Sequence, residues 1–186
     1  MSLADVKKAA DKMVEEMGTN PETGEKPVEV TTGPKGVTIG ISSDISFQSG
    51  SASLKQEIVE VLDKIVPTIE NSYFDVAVEG HTDNDPLPKS FQSKYPSNWE
   101  LSSARASAVV RQLINMNVNP IRLQAVGYAE YIPRDRPTDR VIDNQLIAEL
   151  NLNNELKSRN RRVEITFLAS GVNNEIDGSY KESLNN

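Results

Sequence analysis

The sequence predicts an α/β fold, a two-layer sandwich with helices packed on one mixed sheet. Three observations predict it. Short apolar segments at residues 37–41, 74–78 and 162–168 alternate with period two, the pattern of strands with one buried face. Two longer segments repeat their apolar residues every three or four positions, the pattern of amphipathic helices. Strands and helices alternate along the chain, the order that lays helices against a sheet.

Each element has its own signal. Leu3, Val6, Ala10, Met13 and Met17 fall on one helical face, and Gly18 stops that helix. The face either packs on its own domain or docks on a partner or symmetry mate. Residues 19–27 hold two Pro and a Gly and read as a linker. Val28 and Val30 alternate, as do Val37, Ile39 and Ile41. Gly33-Pro34-Lys35-Gly36 between them is turn chemistry, so the pair reads as a hairpin. Ser53-x-x-Gln56 predicts a capping box for a helix with Leu54, Ile58, Leu62, Ile65, Val66 and Ile69 inward. Pro67 interrupts that pattern and predicts an end or kink near Val66. Residues 74–78 form a strand. Ser97-x-x-Glu100 predicts a second capping box, opening a helix to about Met116 with Ala106, Val109, Val110, Leu113 and Ile114 inward. Residues 123–128 form a strand, 146–150 a short helix in the least periodic part (131–158), and 162–168 a final strand. The organisation is an N-terminal amphipathic helix and linker (1–27), one domain (28–170), and a polar tail (171–186) expected to be disordered.

Composition excludes several functions. The chain has 20 Lys and Arg against 27 Asp and Glu, a net charge of -7. Two Arg clusters (Arg134, Arg136, Arg140 and Arg159, Arg161, Arg162) lack interleaved aromatics, so nucleic acid is not an expected partner. They read as solvated loops with local ion pairs, or as Arg161 or Arg162 reaching the loop at Asp83. The absence of Cys removes disulfides, thiolate metal sites and thiol catalysis. No apolar run is long enough to cross a bilayer. His81 is the one His, and a zinc site ordinarily draws on several His, Cys or acids, so neither metal nor cofactor is expected. No Ser is singled out as a nucleophile, so an enzyme is not expected either. His81 is expected to make a fixed hydrogen bond that shapes its loop. Asp83-Asn84-Asp85 does not begin a calcium loop, because positions six and twelve would be Pro88 and Lys94.

The chemistry concentrates in residues 78–105, a strand end, a long polar loop and a helix start. Asp83 supplies an acceptor for an ammonium group and Arg105 a planar fork for a carboxylate. Arg105 lies near a helix start, which favours an anion. Asn98 is two turns before Arg105 and Leu101 one turn, so they share a side. Thr82 adds a hydroxyl. From spacing alone, Asp83 and Arg105 read as a salt bridge to each other.

Four blocks in order carry a family resemblance: Gly80-His81-Thr82-Asp83, Asn98-x-x-Leu101-Ser102-x-x-Arg105-Ala106, Gly127-Tyr128, and Asn160-Arg161-Arg162-Val163-Glu164. They resemble the OmpA-like peptidoglycan-binding domain, over roughly residues 37–168. The run SKYPSNWELSSARA (93–106) resembles the branch of flagellar motor stator B subunits (MotB/PomB) in particular. The resemblance implies a β-α-β-α-β-β sandwich and non-covalent binding to the peptide stem of peptidoglycan, with Asp83 and Arg105 as binding residues and Thr82, Asn98 and Leu101 beside them. It implies a homodimer, a stator A subunit (MotA/PomA-like) as partner, and the periplasmic part of an inner-membrane protein in flagellar motility. An outer-membrane or lipoprotein anchor of the OmpA/Pal type is the alternative. The chain departs from the pattern at residues 133–159, longer than the family's loop, and in having no membrane-spanning helix, as expected for a periplasmic fragment.

Overall fold

The computed structural model describes residues 1–169; the predicted tail at 171–186 lies outside them. Helix α1 (Leu3–Met17) is followed by strands β1 (Val28–Gly33) and β2 (Gly36–Ser42), a short helix α2 (Ser43–Ser46), α3 (Gln56–Glu70), β3 (Val76–His81), α4 (Asn98–Asn115), β4 (Leu123–Gly127), α5 (Asn144–Glu149), α6 (Asn154–Asn160) and β5 (Arg162–Leu168). The five strands form one mixed sheet in the order β1-β2-β5-β3-β4, antiparallel except where β3 pairs β4. Strands β2, β3, β4 and β5 with α3 and α4 give the expected β-α-β-α-β-β core.

The core lies between one face of the sheet and the helices. Ile39 and Ile41 of β2, Val76 and Val78 of β3, and Val163, Ile165 and Phe167 of β5 meet Ile58, Leu62, Ile65 and Ile69 of α3 and Val109 and Leu113 of α4. Burying side chains of this size stabilises the fold by roughly 1.5–3 kcal/mol each. Val6, Ala10 and Met13 of α1 join the same core, with α1 packed on β1, β2 and α3. The apolar face of α1 therefore packs on its own domain.

Two local readings are corrected. The helix around Pro67 does not end at Val66; α3 continues to Glu70. Proline removes one hydrogen bond, at about 3 kcal/mol, but Ile65 and Ile69 on either side are both fully buried and hold the last turn in place. Ser53 does not cap α3; the cap is Lys55, with no side-chain hydrogen bond. The bridge between Phe47 and Leu54 holds Ser53 in extended chain, where its carbonyl accepts from the Gln48 N–H. The Ser97–Glu100 capping box at the start of α4 is present.

The opposite face of the sheet is polar. Thr38, Glu79, His81, Arg162, Glu164 and Thr166 alternate with the core residues along β2, β3 and β5, as period two requires. The loop after β4 crosses this face. Arg134 lies against the bare backbone of Gly40 and pairs with Glu29.

Candidate functional site

The site forms where β3 ends and α4 begins, and two glycines set the distance between them. A Cβ on Gly80 would lie 2.2 Å from the Ser102 carbonyl oxygen, and one on Gly127 would lie 2.2 Å from Ser103 Oγ. Only glycine allows α4 to sit this close to β3 and β4. The Ser102 hydroxyl accepts from the Ala129 N–H at 3.0 Å, tying the loop after β4 to the same turn of α4.

Asp83 follows β3 and is 7% exposed. One carboxylate oxygen accepts from Arg161 Nη1 at 2.7 Å and the other from the Asp85 N–H at 2.9 Å. Of the two arginines after α6, Arg161 thus faces the Asp83 loop. Arg162, one residue on, points to the polar face and donates to Glu164 at 2.7 Å. Asn98 Nδ2 donates to the carbonyls of Asp83 (3.4 Å) and Asp85 (3.0 Å), bracing the loop against the helix start. The Thr82 hydroxyl donates to the Asp83 carbonyl at 2.8 Å. Leu101 is buried in the first turn of α4.

Arg105 is 6% exposed, and its Nε donates to the Ser51 carbonyl at 2.9 Å. Its guanidinium lies 4.8 Å from the centroid of the Phe47 ring. No carboxylate of the described residues comes within 4.0 Å of it, so the salt bridge that spacing suggested between Asp83 and Arg105 is not made; Asp83 has Arg161 instead. Burial pushes Arg105 down to about 10 from its ordinary 12.5, and the nearby Arg161 adds to this against opposing pulls from Tyr95, Asp83 and Asp44. A buried guanidinium without a carboxylate is a costly arrangement that an anion would relieve.

The segment 133–159 also reaches the Asp83 loop. Asn151 Oδ1 accepts from the Asn84 N–H (3.3 Å) and from Asn160 Nδ2 (3.0 Å), and Asn160 Nδ2 also donates to the Leu150 carbonyl. Sequence reasoning missed Asn151 and α6, whose only apolar residue is Leu156. An Asn cap at Asn153 was the one local signal available.

His81 does not make the hydrogen bond expected of it. It is 2% exposed, and among the described residues neither ring nitrogen has a hydrogen-bond partner. Its ring stacks on Tyr128, with centroids 5.4 Å apart and planes 13° from parallel. Nε2 lies 3.8 Å from Glu79 and 3.5 Å from Glu164, which face each other across β3 and β5.

With this geometry in place, comparison with known proteins gives the family. The model of the OmpA family matches residues 46–146, more than half of the chain. The chain belongs to the OmpA family. Among curated relatives, the uncharacterized protein YtxE of Bacillus subtilis is 34% identical over 137 residues, covering 73% of this chain and 50% of that protein. Motility protein B of the same organism is 31% identical over 150 residues, covering 80% of this chain and 51% of that protein. The chain thus spans about half the length of these two relatives. Among solved structures, the cell wall anchor of the T6SS from Pseudomonas aeruginosa superposes with a TM-score of 0.67 at 28% identity, over 89% of this chain and 97% of that one. Among the described residues, no helix is long and apolar enough to cross a membrane.

Proposed function

We propose that this OmpA-family domain is a non-catalytic anchor that binds the peptide stem of peptidoglycan and holds a flagellar motor stator to the cell wall. The observation that carries the binding reading is Arg105: a guanidinium buried two turns into α4, near Asp83, with no carboxylate of the described residues paired to it. A stem residue such as diaminopimelate would bring a carboxylate to the Arg105 fork and an ammonium to Asp83, with Arg161 holding the Asp83 carboxylate in place. Thr82, Asn98 and Leu101 then act by shaping the loop and helix start. The likeness to Motility protein B of Bacillus subtilis supports the stator role. In that role the chain is the periplasmic part of an inner-membrane protein, pairs as a homodimer, and works with a stator A subunit. A sacculus pull-down tests the site: Asp83→Asn and Arg105→Met should each reduce the retained fraction at least tenfold. Full retention by both variants refutes the assignment.

The likeness to the cell wall anchor of the T6SS favours a second reading, the same binding chemistry in an anchor without a motor. Swimming separates the two. Loss of motility with Asp83→Asn in the intact parent protein supports the stator, whereas unchanged swimming with wall binding lost supports the other anchor.

A further inference from the structure

The geometry points to a divalent metal site, with zinc as the ion, formed by Glu79, His81 and Glu164 on the polar face of the sheet. This inference is independent of the wall-binding reading. The three side chains offer one ligand atom each, all within 4.8 Å of one another. Around a tetrahedral zinc, with bonds near 2.0–2.2 Å, ligand atoms stand about 3.3–3.6 Å apart. His81 Nε2 is already 3.5 Å from Glu164 Oε2 and 3.8 Å from Glu79 Oε2. These are too long for hydrogen bonds and close to the separation of ligands that share an ion.

Two further observations direct the inference to a ligand rather than to an acidic cluster alone. His81 is 2% exposed, yet both ring nitrogens lack a partner among the described residues, a costly state for a buried imidazole. The two glutamates also divide their oxygens. Glu79 Oε1 accepts from Lys35 Nζ at 3.1 Å, and Glu164 Oε1 accepts from Arg162 Nε at 2.7 Å. In each case Oε2 is the oxygen turned toward His81. That is the arrangement of a metal site whose carboxylates are oriented by outer hydrogen bonds. The stacked Tyr128 ring fixes the plane of the imidazole.

One imidazole and two carboxylates suit zinc, whose sites accept nitrogen and oxygen together. The two carboxylates balance the charge of the ion. Arg162 stays in place, while Lys35, with a side chain 64% exposed, is free to swing toward solvent. A cavity of about 800 Å³ lined by Lys35, Glu79, Tyr128 and Glu164 among others opens onto the two glutamates.

The test uses the full chain without an affinity tag, stripped with a chelator. Because His81 is the only His, no other imidazole can account for binding. Zinc titrated calorimetrically should bind at one equivalent. His81→Gln should weaken it at least about 100-fold and Glu164→Gln at least about tenfold, given that even outer-shell changes cost 10–100-fold. Nitrogen-15 spectra of the unmodified chain should show one His81 ring nitrogen shifting on zinc addition, a readout that needs no variant to fold. No saturable binding, equal affinity in folded His81→Gln, or ring nitrogens unmoved by zinc would each overturn the proposal.

Discussion

Replacing Arg105 with Met separates a binding role from a structural one, because the two predict opposite changes in stability. In the folded chain the guanidinium is pushed down to about 10 from 12.5. At about 1.4 kcal/mol per tenfold, holding the charge there costs roughly 3 kcal/mol. Methionine has similar length and no charge, so this cost disappears. Against it stand the hydrogen bond to the Ser51 carbonyl and the contact with the Phe47 ring, each worth about 1 kcal/mol. The net expectation is a gain of about 1 kcal/mol, which raises the melting temperature by about 2–4 °C in a chain of this size. Folding lowers the pKa of this base, so its charge opposes folding at every pH below about 10, and the penalty fades as pH rises through that value. The advantage of Met should therefore be constant across the neutral range. Urea unfolding followed by Trp99 fluorescence, with a sacculus pull-down on the same protein, measures both quantities. A variant destabilised by about 2 kcal/mol or more that still binds the wall would refute the reasoning.

Three other outcomes are expected. Gly80→Ala would put its methyl group 2.2 Å from the Ser102 carbonyl oxygen; forcing α4 off β3 should cost about 1–3 kcal/mol and weaken wall binding, both visible in thermal melts and pull-downs. Ser97→Ala removes the capping box of α4 and should lower stability by about 1 kcal/mol in urea, with Ser97→Asp restoring most of it. Burial alone would raise the Glu164 carboxyl, but the Arg162 guanidinium, 2.7 Å away, holds it well below the usual carboxylate range. Its contribution is therefore complete above about 4.5, its ordinary value, and is lost as pH falls further; Glu164→Gln should flatten the acid limb of the stability curve, and an unchanged acid limb would count against the pairing.

Much of the fold was legible because its signals are local. The stripe of Ile58, Leu62, Ile65 and Ile69 marks α3, and Ile39, Ile41, Ile165 and Phe167 mark strands with one face buried. Pro67 misled because helix propensity is local whereas the burial of Ile69 is not. Helix α6 is not legible because Leu156 is its only apolar residue and it is held by Asn151 and Asn160 rather than by an apolar stripe. At the candidate site, spacing alone suggests that Asp83 pairs with Arg105, whereas the structure pairs Asp83 with Arg161. Arg161 follows Asp83 by 78 residues, a separation over which sequence spacing says nothing about contact. The same holds for His81. Glu79 is two residues away and visible, whereas Glu164 arrives only through the register in which Glu79 faces Glu164 and His81 faces Arg162.

That register also decides how the domain carries load. Val28 pairs with Ile41, Ser42 with Arg162, and Arg162 with His81, so the chain enters the sheet at the same end from which Asp83 projects. Tension between a ligand held at Asp83 and the segment before β1 would not shear the strands lengthwise. It would peel β1 from β2 one rung at a time, starting at Val28, the mode in which a ladder resists least because its bonds break singly. Helix α1 lies between that pull and the first rung, packed on β1, β2 and α3. A force delivered through α1 must strip Val6, Ala10 and Met13 from the core before the ladder feels it, so the helix acts as strain relief for an edge strand that would otherwise unzip.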